Sequence, residues 1–199
     1  MRHTARTAIA AAALTLLPQL AFAHTGAGAV HGFDAGFAHP MSGLDHMLAM
    51  LTVGIFAWQL GGRAVWAVPA TFVALMAVGG ALGVSGVEVP FVEMGIALSV
   101  VVLGAVVALG LKAPLALAMA VTGFFALFHG HAHGTEMPLD ASGLSYGLGF
   151  MSATALLHLA GLGLGMTIGR FGEIHGAKVV RGAGAAVAVA GLGLVSGLI

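Results

Sequence analysis

Six apolar stretches follow one another along this chain, at residues 41–60, 64–84, 91–111, 114–132, 143–168 and 182–199. A helix needs about 20 apolar residues to cross the hydrocarbon core of a bilayer, and each stretch is close to that length. The breaks carry what the stretches lack: Gly61-Gly62-Arg63, the segment from Ser85 to Pro90, Lys112-Ala113, a His/Gly/acidic run ending at Ser142, and Arg170 to Arg181. Only 7% of the 199 residues are charged, against about 25% in a soluble domain. So few charges cannot coat a water-facing surface, and the apolar excess must face lipid. The expected fold is an all-α, polytopic membrane bundle, with six transmembrane helices in residues 41–199.

Ahead of the spans, residues 1–23 have the form of a cleavable signal peptide. Arg2 and Arg6 precede an apolar run from Ala8 to Leu17, and Ala21-Phe22-Ala23 supplies an A-x-A site. Residues 24–40 then become a periplasmic lead segment. With that start, the first, third and fifth breaks face the cytoplasm, and they hold Arg63, Lys112, Arg170, Lys178 and Arg181. The outer breaks and helix ends hold Asp34, Glu88, Glu93, Glu136 and Asp140, with no basic residue among them. Signal peptide and positive-inside rule therefore give one orientation: a bacterial inner-membrane protein with both mature termini periplasmic.

Seven basic and seven acidic residues leave no basic stripe for nucleic acid. Cysteine is absent, which excludes disulfides, iron-sulfur clusters and thiol nucleophiles. Ten histidines outnumber Lys and Arg together, a balance that points to metal or protons. The glycine spacing, as in Gly79/Gly83, Gly143/Gly147, Gly161/Gly165/Gly169 and Gly193/Gly197, is the small-xxx-small pattern that brings helix backbones together in lipid. Ordinary packing within the bundle explains it better than a dedicated dimer face.

Three places carry the chemistry. The first is His39-Pro40-Met41-Ser42-Gly43-Leu44-Asp45-His46, followed by Met47 and Met50. On a straight helix His39 and His46 would lie about 10 Å apart along the axis, too far for one ion, but Pro40 and Gly43 make an irregular backbone expected here. Asp45 and His46, an ionisable pair where apolar residues are expected, are the sharper signal. The second is Phe128-His129-Gly130-His131-Ala132-His133-Gly134-Thr135-Glu136. A helix would put His129, His133 and Glu136 on one face with His131 opposite, whereas an extended strand would align all three histidines. His131 and His133 are expected at the exposed rim and His129 nearer the apolar run. The third is His158, about fifteen residues into its span and near the midplane, sharing a face with Thr154, Gly161 and Gly165. Metal binding and a structural hydrogen bond to a neighbouring helix are both open there. Imidazole with carboxylate suits nickel, cobalt or zinc, while Met47, Met50 and Met94 keep copper(I) in view.

At these motifs the chain resembles the HupE/UreJ family, membrane proteins associated with hydrogenase and urease maturation and regarded as nickel permeases. The resemblance runs through Gly32 to Pro40, Gly43-Leu44-Asp45-His46, and Phe125 to Gly134. It is also similar to the His-x4-Asp-His signature of the broader nickel/cobalt permeases, with one residue more in the gap. The resemblance implies a secondary permease importing Ni2+, with Co2+ or Zn2+ as alternatives, no resident cofactor, and hydrogenase or urease maturation proteins as partners. Other classes remain: a non-transporting metal-binding or chaperone protein, a haem-b carrier, which needs paired deep histidines, and a rhomboid-like protease built on Gly83-Val84-Ser85-Gly86 with His158. The last suffers from a mismatch in depth between Ser85 and His158.

Overall fold

The computed structural model of the protein describes residues 32–137, 142–170 and 173–198. The signal-like segment 1–23, residues 24–31 of the lead and Asp140 lie outside them. Among the described residues seven helices form: α1 Gly32–Ser42, α2 Leu44–Leu60, α3 Ala64–Val84, α4 Val92–Leu109, α5 Leu115–Thr135, α6 Gly143–Gly169 and α7 Glu173–Val195. The last five are long and apolar enough to cross a membrane, and α1 and α2 pass the same test together as one span bent by 85°. The all-helical membrane bundle expected from the apolar repeat is what the chain forms, as a multi-pass membrane protein.

Local chemistry explains where the helices stop. Gly61 and Gly62 take φ values of 70° and 52°, a left-handed turn that glycine enters without strain, and this reverses the chain between α2 and α3. Gly110 closes α4 in the same way at φ 64°, its N–H bonded to Val106 and Val107 carbonyls. Pro114 then precedes α5 at its N-cap.

Two boundaries differ from the expected spans. Helix α5 continues through the histidine run to Thr135 instead of ending near 132, because nothing from His129 to Gly134 removes a backbone donor. Helix α7 starts at Glu173, not 182. Its first turns hold Lys178 and Arg181, residues that propagate a helix well, so the helix and the span candidate His175–Val195 begin before the uncharged run. The described part of the lead is also helical, as α1.

Helix α2 sits at the centre, touching α1, α3, α4, α6 and α7. Its buried Met50, Val53 and Phe56 join Phe72 and Met76 of α3, Val100 and Leu103 of α4, Ala126 of α5 and Phe150 of α6 in one apolar core. Outward, Trp66, Leu117, Phe124, Leu159, Val189 and Leu192 are exposed, as lipid contact requires.

Glycine sets the helix separations. A Cβ on Gly79 would collide with the Leu127 carbonyl, and one on Gly130 with the Met76 carbonyl, which locks α3 against α5. Gly54 and Gly161 do the same for α2 and α6, meeting the His158 and Leu51 carbonyls. The small-residue spacing thus serves packing inside the chain, although Gly147 and Gly197 meet nothing within 4 Å. Gly79→Leu is expected to destabilise the bundle by at least about 1–3 kcal/mol, seen as a lower melting temperature in detergent. Gly163→Leu, where a Cβ meets open space, should leave melting unchanged, and equal effects of the two would remove the packing argument.

Candidate metal centre

The bend between α1 and α2 creates the site. Gly43 holds an extended backbone, φ −97° and ψ 123°, and a Cβ there would lie 2.8 Å from Asp45 Oδ1 and 3.1 Å from His46 Nδ1. The missing side chain leaves room for the Asp45 carboxylate to fold back over the start of α2. It accepts the His46 backbone N–H at 2.8 Å and lies 2.9 Å from the ring Nδ1. An ionised carboxylate only accepts, so Nδ1 carries the hydrogen. His46 Nε2 is left buried and without a hydrogen-bond partner. The irregular backbone anticipated at Pro40 and Gly43 is found at the glycine alone; Pro40 lies within α1.

The same bend returns His39 to His46. Both rings pack on His133 of α5, with centroids 4.6 Å and 4.2 Å away. His39 Nε2 lies 3.0 Å from Glu136 Oε2, and His133 Nδ1 is 4.0 Å from the same oxygen. Donor atoms of His39, His133 and Glu136 all fall within 4.8 Å of one another, a spacing that a single ion can span. This triad opens into a cavity of about 200 Å³ lined by His39, Ser42, Asp45, His46, Glu93 and Glu136 among others. Among the described residues no Lys or Arg lines it, and Asp45, Glu93 and Glu136 are its carboxylates.

Inward from the triad the imidazoles continue. The His46 ring lies 4.7 Å from that of His129. Phe72 of α3 touches both His129 and His158, at centroid distances of 5.6 Å and 5.1 Å. His129 and His158 are buried, and His129 Nδ1 and both nitrogens of His158 have no hydrogen-bond partner among the described residues. The structural interhelical hydrogen bond considered for His158 is not formed among the described residues. Buried polar groups are normally paired, so a row of bare imidazole nitrogens points to a ligand.

The helical reading of the second motif holds, and it separates His131 from its neighbours. His131 lies on the other side of α5, where Nε2 donates to the Val87 carbonyl at 2.7 Å. Neither His131 nor His133 is at an exposed rim: they are 5% and 3% exposed, and His133 is covered by His39, His46 and Phe150. The extra turn of α5 and the folding of α1 over it account for the difference. Glu136 and His39 take the rim. Met50 is buried in the apolar core, and Met94 is exposed. Ser85 is exposed with its hydroxyl on the Ala81 carbonyl, whereas His158 is buried against Phe72.

Sequence reasoning passed over Glu93, Phe72, Ser99 and Tyr146. Glu93 was legible only as an outer-side carboxylate at the start of a span, and Phe72 as one apolar residue among many. Tyr146 is the chain's single tyrosine; its ring lies 6.0 Å from His39 and its hydroxyl is buried without a partner.

The family model described as HupE / UreJ protein matches residues 12–194. Protein HupE of Rhizobium leguminosarum bv. viciae is 50% identical over 181 residues, which cover 91% of this chain and 93% of the relative. The chain belongs to the HupE/UreJ family. The HupE/UreJ match encloses the bend at Gly43, the helical histidine motif and His158, so every residue of the buried row falls within it. No solved structure matches this HupE/UreJ chain.

Proposed function

We propose that this protein is an inner-membrane permease that carries a divalent transition metal, nickel foremost, from periplasm to cytoplasm for metalloenzyme maturation. One observation carries the proposal: imidazoles with unpartnered nitrogens run from the carboxylate-lined mouth at His39, His133 and Glu136, through His46 and His129, to His158 inside the bundle. A storage protein needs a closed coordination shell, whereas a carrier needs successive partial shells that each release the ion. Nitrogen with a few carboxylate oxygens suits nickel over magnesium or calcium.

The ion arrives at the outer triad, where Glu136 offsets part of its charge. Asp45 holds His46 with Nε2 bare, ready to accept the ion from His133 and pass it to His129. Phe72 stands where His129 hands over to His158, an apolar barrier that keeps water and protons from following. The membrane potential supplies the drive. At about 2.3 kcal/mol per charge per 100 mV, a divalent ion gains roughly 4.6 kcal/mol on entering a negative cytoplasm, equivalent to about a thousandfold concentration ratio. The signal-like sequence pattern of residues 1–23 and the distribution of Arg63, Lys112, Arg170, Lys178 and Arg181 support periplasmic mature termini and inward transport.

Cells starved of nickel and expressing the chain should accumulate labelled nickel several-fold faster than cells without it. Cobalt and zinc in excess should compete and magnesium should not. Accumulation unaffected by expression, or blocked by magnesium, would overturn the reading.

A further inference from the structure

We infer that Ser99 is a positioning residue that fixes which nitrogen of His129 is offered to the metal; the inference rests on the reading of the imidazole row as a metal path. Ser99 is fully buried on α4, one turn beyond Gly95. A Cβ on Gly95 would lie 2.6 Å from the Phe128 ring, so α4 passes close over α5 at this level and brings Ser99 against His129.

The Ser99 hydroxyl has two polar neighbours, the Ile96 carbonyl oxygen at 2.6 Å and His129 Nε2 at 2.9 Å. A serine hydroxyl owns one hydrogen. The carbonyl oxygen owns none, so the 2.6 Å oxygen-to-oxygen contact requires the serine hydrogen to lie between them. Serine in helices commonly bonds back to a preceding carbonyl in this way. Only lone pairs then remain on the Ser99 oxygen, and it accepts from His129, whose Nε2 must carry the ring hydrogen. In a neutral imidazole the other nitrogen is then a bare acceptor. That atom, Nδ1, is the buried one without a partner.

His46 is arranged in mirror fashion 4.7 Å away. Its Nδ1–H is taken by Asp45 and its Nε2 is bare. Each imidazole thus gives its hydrogen to a protein partner and keeps its other nitrogen as a bare, buried acceptor. Second partners of this kind orient metal-binding histidines generally, and losing one costs about ten- to a hundredfold in metal affinity or activity. Without Ser99, His129 is free to carry its hydrogen on Nδ1, where an arriving cation meets a donor instead of a ligand.

The test combines a tautomer measurement with transport. Purified full-length protein carrying 15N-labelled histidine reports the hydrogen on each ring nitrogen, with the His129 signal assigned by its loss in His129→Gln. Wild type should show His129 protonated on Nε2 alone. Ser99→Ala should show hydrogen on Nδ1 in part or in full, and its maximal nickel uptake in proteoliposomes should fall about tenfold or more at unchanged melting temperature. Ser99→Thr, which keeps the hydroxyl, should restore the Nε2 tautomer; Ser99→Cys, close in size but a weak acceptor, should behave as alanine does. A wild-type signal with the hydrogen on Nδ1, or an unchanged tautomer and unchanged uptake in Ser99→Ala and Ser99→Cys, overturns the inference. If His129→Gln also transports at the wild-type rate, the metal path itself fails; if it stops transport while the Ser99 variants are silent, the Ser99 role alone does.

Discussion

Replacing His46 by alanine is expected to lower maximal nickel uptake at least about a hundredfold at matched protein level. His46 is the ring that touches both the outer triad, through His133 at 4.2 Å, and the interior, through His129 at 4.7 Å. An ion leaving His133 in the alanine variant meets an apolar gap with no ligand, and a poorly coordinated charge away from water is costly. A barrier increase of about 2.8 kcal/mol already gives a hundredfold. Asp45→Asn should act more mildly, by about tenfold, because the amide oxygen can still accept the His46 Nδ1–H while the compensating negative charge is gone. Transport kinetics at limiting nickel measure both. Wild-type rates in His46→Ala would remove this residue from the path.

The second large effect separates His133 from His39. From the motif alone His133 is a rim collector, whose loss raises half-saturation and spares the rate. Its burial between His39, His46 and Phe150 changes that expectation: His133→Ala should cut the maximal rate at least about tenfold. The estimated loss follows from removing a ligand that joins rim to interior, where about 1.4 kcal/mol is a factor of ten. His39 is 31% and Glu136 52% exposed at the side chain, and water can replace either donor there. His39→Ala should therefore raise the nickel concentration for half-maximal uptake with little change in maximal rate. Identical changes in both parameters for His39→Ala and His133→Ala would show that burial does not order these residues.

The contrast shows which parts of the site were legible in the sequence. The spans could be read because lipid demands long apolar runs, and the Asp45-His46 pair because ionisable residues there need a reason. The fate of the second motif could not be read, since alternating His and small residues fit a helix or a strand; what decides is Gly130 and Gly134 packing on the Met76 and Gly80 carbonyls, a tertiary constraint from α3. That same helix register sends His131 to the Val87 carbonyl. The 85° bend was foreshadowed by Gly43, yet its size depends on α1 lying across α6, where Gly36 and Gly149 meet the Tyr146 and Phe33 carbonyls. Phe72, Glu93 and Ser99 reach the site from other helices, at least 26 residues from the nearest residue of either motif, and no local period marks such residues. Depth misled for the same reason: position along α5 says how far His133 is from the helix end, not what other helices cover it.

The most direct measurement of the central claim is labelled nickel uptake into proteoliposomes holding the purified protein, with an inside-negative potential imposed and then collapsed. The account predicts saturable uptake that needs no ATP, falls when the potential is collapsed, and disappears in His46→Ala although that variant still binds nickel at His39, His133 and Glu136. Nickel bound by the wild-type protein but never released into the lumen, with or without a potential, would contradict it.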